Sequence, residues 1–248
     1  MTSAKTIAFL GPRGTYSEQA VIQYFGTDEE VAGRYAYVPT GSIDECFELL
    51  DAHKVDAAVV PYSNSTNGAV RLSHNQLRTR RPRVIGTTAV PVAHYVLCRP
   101  DVFPALPSPP SSISTPSPNS SSSSPASAES GDSEDAVLRI YSHPQVWGQC
   151  NRYLATHFTR AKRVDVDSTA AAATMAQEDP RSVAIASVAA LRVAPKLQVH
   201  AGNVQDAAGN ATTFLVVERR DDDVGVGNGE EDPELDKRVY EEVDEETS

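Results

Sequence analysis

The sequence predicts an α/β protein made of two similar strand–helix–strand halves. Three observations carry this: short apolar runs that end in polar turns, helically spaced segments between them, and one Ser/Pro-rich stretch dividing the two series. Residues 5–10 (KTIAFL) read as a buried strand, stopped by Gly11-Pro12 and Gly14. A helix is expected through EQAVIQYFG, with Ser17 as its N-cap and Gly26 closing it. Next, Ile43, Cys46, Phe47, Leu49 and Leu50 stand at helical spacing, with Ser42 as a cap. The run VDAAVVPYSNS reads as a strand emptying into a polar turn, and AVPVAHYVLC (89–98) as a third strand. Strand, helix and strand in this order give a lobe with parallel strands.

From Pro104 to Asp135 the chain is dominated by Ser and Pro. Such a segment buries too little apolar surface to offset its ordering entropy, so a disordered insertion is expected. Periodicity then returns. AVLRIYSHP reads as a strand and turn, Gln145 to Thr159 as a helix, and STAAAATMAQED as a second helix. SVAIAS is a strand, VAALRVAP a short helix, and ATTFLVVERR a final strand. The expected organisation is one two-lobed domain over 1–220, interrupted at about 104–135, followed by an acidic tail over 221–248. That tail carries no sustained pattern, so disorder with at most a fraying helix is expected.

The tail also explains the charge. The net charge is −11, and residues 221–248 alone hold 13 acidic and 2 basic residues. The body is therefore close to neutral and offers no nucleic-acid footprint. The three cysteines, Cys46, Cys98 and Cys150, are widely spaced and form no CxxC pair, which argues against a disulfide framework and a zinc site. The first apolar run is too short for a secretory signal, and no stretch approaches the roughly 20 residues of a membrane span. A soluble cytoplasmic protein is expected.

Four polar turns are the candidates for chemistry. GPRGTYSEQA (11–20) joins a strand to a helix, where free backbone N–H groups suit carboxylates, and its spacing matches neither a dinucleotide nor a P-loop pattern. PYSNSTNG (61–68) supplies neutral donors and acceptors from Asn64 and Ser65. YSHPQVWGQC (141–150) carries Ser142 and His143 ahead of a helix with Gln145 and Gln149 at i, i+4. NVQDAAGNATTF (203–214) brings Thr212 to the start of a strand. Singly, each is more often an ordinary turn than a site, and a lone His before Pro is more often structural than a base.

Taken in order, G-x-x-G-T-Y-S-E, N-S-x-x-G, S-H-P-Q-x-x-x-Q-C and N-x-x-D-x-x-x-N-x-T-x-F resemble the prephenate dehydratase family from Lys5 to Glu218, the insertion excepted. The resemblance implies a two-lobed α/β fold like type II periplasmic binding proteins, with the site between the lobes. It also implies conversion of prephenate to phenylpyruvate without a cofactor. By motif position it makes Thr212 the catalytic residue, and Thr15, Asn64, Ser65, Ser142, Gln149 and Phe214 substrate-binding residues. Two positions depart from the family pattern: Ser63 stands where E-N-S has its acid, and Thr213 where T-R-F has its arginine. No segment resembling the family's phenylalanine-sensing ACT domain follows Arg220. The altered motif keeps two other readings in view, a decarboxylase that does not aromatise prephenate and a ligand-binding relative without catalysis. Dimers are the commonest default assembly for such a chain, so a homodimer is the default expectation.

Overall fold

The computed structural model describes residues 4–102, 137, 139–220 and 233–245, and the Ser/Pro insertion lies outside the described residues. Lobe 1 begins with β1 (Lys5–Leu10), α1 (Tyr16–Phe25), β2 (Tyr35–Thr40), α2 (Ile43–Asp51) and β3 (Ala57–Asn64). It continues through β4 (Gly68–Ala69), α3 (Arg71–Arg80) and β5 (Arg83–Pro91). Lobe 2 holds β6 (Tyr95–Cys98), β7 (Arg139–Ser142), α4 (Pro144–Gln149), α5 (Asn151–His157), β8 (Lys162–Asp165) and α6 (Thr169–Glu178). It closes with β9 (Ser182–Ala186), a 3₁₀ turn at Val188–Arg192 and β10 (Gln198–Ala201). The chain then returns to lobe 1 as β11 (Ala211–Glu218) and α7 (Pro233–Glu245).

Lobe 1 is a mixed sheet ordered β2-β1-β3-β11-β5, with β4 paired to β3. Its first three strands are parallel, and β11 runs antiparallel to both β3 and β5. Strand alternation sends Ile7, Phe9, Phe214 and Val216 to one face, under α1. Ala8, Leu215 and Val217 go to the other, under α2, α3 and α7. Lobe 2 is ordered β10-β6-β9-β7-β8, with β7 parallel to β8 and β9. Each lobe has its own apolar core, as a two-lobed α/β architecture requires.

Four expectations change. The strand expected over 89–98 is two strands in two sheets, because the chain leaves lobe 1 after Pro91 and pairs again only from Tyr95. The helix expected over 145–159 breaks at Cys150, whose φ of −123° and ψ of 24° are not helical. The N-cap of α1 is Thr15 rather than Ser17: Thr15 has extended backbone and accepts from the Glu18 N–H, while the Glu18 carboxylate accepts from the Gly14 N–H at 2.6 Å. The Thr15 half is that of a capping box, whereas Glu18 reaches one residue further back, to Gly14 instead of to the cap's own N–H. The fourth change is in the acidic tail. Residues 233–245 form a helix whose Val239, Tyr240 and Val243 are buried in the lobe 1 core. The surrounding acidic residues masked an apolar stripe at i, i+4 and i+8 from Leu235.

Candidate active site

Between the lobes lies a cleft of about 1020 Å³. Lobe 1 lines it with the β1–α1 turn, including Thr15, with the β3–β4 turn, including Asn64, and with Thr212 at the start of β11. Lobe 2 lines it with Gln145 and Gln149 of α4, with Thr169 of α6, and with His143 and Ser168, the N-caps of those two helices. His94, on the connection between the lobes, completes it.

The β3–β11 pairing holds the Thr212 hydroxyl at the cleft. Thr212 and Asn64 are register partners, and the Asn64 amide nitrogen lies 3.0 Å from Thr212 Oγ1. The amide is oriented by its other end, where Asn64 Oδ1 accepts from the N–H groups of Thr66 and Asn67, each at 3.0 Å. Its nitrogen also donates to Asn210 Oδ1 at 2.8 Å. Thr212 Oγ1 therefore accepts from Asn64 and keeps its own proton to donate. Asn210 and this division of roles were not read from the sequence, although the N-x-T spacing placed both residues at one strand start.

The β1–α1 turn approaches lobe 2 closely. Gly14 has φ of +81°, and a side chain there would meet Val193 at 2.9 Å and the Ala190 backbone at 3.2 Å. Only glycine fits both constraints. Thr15 is committed locally, donating to Pro12 O at 2.9 Å while capping α1. What this turn presents is the N-terminus of a ten-residue helix, and α6, also ten residues, presents another from the opposite lobe. Unpaired N–H groups and aligned dipoles make such ends attractive to carboxylates.

Formal charge in the lining is sparse. The Arg13 guanidinium is held by Glu18 at 3.1 Å and Asp28 at 2.9 Å, and Arg192 of lobe 2 joins Asp28 at 2.9 Å. Asp167 is the lining carboxylate, and it is exposed. Burial holds His94 below the ordinary histidine value, against a smaller opposing effect of its bond to Gln149.

The seven residues singled out in the sequence thus divide. Thr212, Asn64, Thr15 and Gln149 line the cleft. Ser65, Ser142 and Phe214 do not: Ser65 is exposed and shares its hydroxyl with Asn210, Ser142 is fully buried and donates to Ile185 O at 2.7 Å, and Phe214 is core. Ser63 and Thr213 also lie outside the lining, and they are register partners of one another across β3 and β11. The two departures from the family motif are thus one paired exchange. His94 escaped notice because it sat inside an apolar run that read as one continuous strand.

Comparison with known proteins agrees with this geometry. The family model described as prephenate dehydratase matches residues 7–222. A probable prephenate dehydratase of Saccharomyces cerevisiae is 33% identical over 228 residues, covering 87% of this chain and 66% of that protein. A bifunctional chorismate mutase/prephenate dehydratase of Aquifex aeolicus is 26% identical over 215 residues, covering 87% of this chain and 49% of that one. The crystal structure of a prephenate dehydratase from Arthrobacter aurescens in complex with L-Phe superposes with a TM-score of 0.66 at 27% identity, covering 88% and 60% of the two chains. The chain spans about half to two thirds of the length of these relatives. With most of its residues matched by the family model and its cleft built from the family's motifs, the chain belongs to the prephenate dehydratase family.

Proposed function

We propose that this chain converts prephenate to phenylpyruvate, releasing carbon dioxide and hydroxide in one aromatising fragmentation. The observation that carries the reading is Thr212, whose hydroxyl accepts from an amide fixed by its own turn and so keeps its proton for a leaving oxygen. In the reaction, the bond from ring to carboxylate breaks and its electron pair enters the ring. The bond from the opposite ring carbon to its hydroxyl breaks in turn, and the departing hydroxide carries that pair away. Thr212 stabilises the growing negative charge on this oxygen by hydrogen bonding, a contribution that matters only as the charge appears. Asn64 acts behind it as the positioning group.

A cleft with little free charge suits this chemistry. A carboxylate that must leave as neutral carbon dioxide would be held back by a strong cation, since ground-state binding of that charge is lost in the transition state. The Arg13 guanidinium is shared with two carboxylates, while the N-termini of α1 and α6 and the Gln149 amide offer milder partners. The exchange at Ser63 and Thr213 falls outside the lining, which supports a retained dehydratase rather than a redirected one. In this reading residues 1–220 carry the site, with α7 packed into the lobe 1 core, and the unit works in the cytoplasm on a small molecule. Among the described residues no helix is long and apolar enough to cross a membrane.

Incubation with prephenate and ultraviolet detection of phenylpyruvate in alkali tests the proposal. Phenylpyruvate is expected. Consumption of prephenate without it would mean decarboxylation alone, and no consumption would mean a binding protein.

A further inference from the structure

His94 sits at the junction of the lobes and is 2% exposed. Its backbone is fixed on both sides by the returning connection: its N–H donates to Gln205 Oε1 at 3.0 Å, and its carbonyl accepts from the Val204 N–H at 3.0 Å. Its ring Nε2 lies 2.6 Å from Gln149 Oε1. Gln149 is held at its main chain too, where its carbonyl accepts from the Asp206 N–H at 2.6 Å. On the far side of the ring, Tyr16 from lobe 1 packs edge-on, and its hydroxyl donates to Ala93 O at 2.8 Å. The hydrogen of Tyr16 is thus spent before it reaches His94 Nδ1, 3.5 Å away.

These contacts choose a tautomer. A contact of 2.6 Å onto a carbonyl oxygen requires a proton between the atoms, and only the imidazole can supply it. The longer approach of Tyr16 to Nδ1 is outside ordinary hydrogen-bond distance and does not compete. Burial keeps the ring neutral at neutral pH, so the single proton resides on Nε2.

We propose that His94 is a positioning and specificity residue that makes Gln149 a one-way donor, holding its side-chain oxygen so that the amide hydrogens alone face the cleft. A free glutamine presents both an acceptor and a donor and could serve an ammonium as well as a carboxylate. With its oxygen occupied by His94, Gln149 rewards only acceptors. The site therefore favours a substrate whose groups at this position are carboxylate or keto oxygens, and disfavours an amino-acid counterpart with an ammonium there. This assignment rests on the dehydratase reading for the identity of the substrate, but not for the hydrogen bond itself.

Two measurements on the full chain test it. Long-range proton–nitrogen spectra of protein labelled at histidine nitrogen read the tautomer of His94 directly, with the His94→Gln spectrum assigning the signal. The Nε2–H form is expected. The Nδ1–H form would overturn the proposal, because Gln149 would then donate to the ring and turn its oxygen to the cleft. The second measurement is steady-state kinetics with prephenate. His94→Phe keeps a ring but removes the donor, and is expected to raise KM about ten-fold while kcat stays within about three-fold, as loss of a binding orientation does. His94→Gln places an amide N–H where Nε2 was and is expected to bring KM back to within about three-fold of the starting protein. An unchanged KM in His94→Phe, or equal damage in both variants, would overturn the positioning role. If the unaltered protein leaves prephenate intact, the dehydratase reading fails by itself, and the tautomer still decides this one.

Discussion

The two lobes meet the same cleft with different cores. Lobe 1 is filled by large side chains, with Phe9, Phe47 and Phe214 fully or almost fully buried. Lobe 2 is packed with alanine where α6 crosses its sheet: Ala172, Ala173 and Ala176 of the helix and Ala184 and Ala186 of β9 are all inaccessible to solvent. Small residues let a helix sit close to its sheet, which fixes the height of the α6 N-terminus above the cleft. Lobe 1 instead places its hydroxyl and amide by strand register, Thr212 against Asn64. One wall is thus set by packing distance and the other by hydrogen-bonded pairing.

Thr212→Val should sharpen this contrast most. Valine keeps the branched shape and leaves Asn64 its bonds to Asn210 and Ala211. A fall of about 10²–10³ in kcat, with KM little changed, is the expected loss of a donor that acts in the transition state. An equal fall in substrate affinity would assign the hydroxyl to binding instead. A smaller effect is expected in lobe 2, where Ala173→Leu forces three carbons into the helix–sheet contact. Overpacking of this kind costs about 1–3 kcal/mol, to be read from urea midpoints. A variant as stable as the parent would mean the alanine interface has slack and does not set the height of α6. The smallest effect concerns Ser63 and Thr213. Ser63→Glu combined with Thr213→Arg should be more stable than the two single changes sum to, by roughly 0.2–1 kcal/mol, the range for a cross-strand opposite-charge pair. Turnover should be unmoved by Thr213→Arg alone. A rise in turnover would show that this position acts on the substrate.

Periodicity carried most of the architecture, because β1, α2, β3, α6, β9 and β11 each have an apolar pattern matched to one burial environment. β2 and the first half of β5 go unread although β5 alternates along its length, while the other unread elements lack such a signal. α3 (RLSHNQLRTR) is polar almost throughout and is held by Leu77 and its buried Ser73 and His74. β8 and β10 are edge strands of four residues, with β8 mostly exposed and only His200 and Ala201 of β10 buried. At the site, the motifs located the turns but not their internal economy. That Asn64 spends its hydrogens on Asn210 and Thr212, and that Ser142 points into its own lobe, depend on partners 146, 148 and 43 residues away. Local sequence holds no record of such pairings, nor of the crossing at His94 that divides one apolar run between two sheets.

The position of β11 bears on how the molecule comes into being. Lobe 2 is one continuous stretch of chain, whereas lobe 1 is assembled from both ends, with β11 inserted between β3 and β5. During synthesis the first eight elements emerge with the facing edges of β3 and β5 unfilled, and they stay so until the whole of lobe 2 has passed. Open edges of this kind invite pairing with other chains. Thr212 lies on the strand that ends the wait, so the arrival of its hydroxyl at the cleft and the sealing of the nascent sheet are a single event.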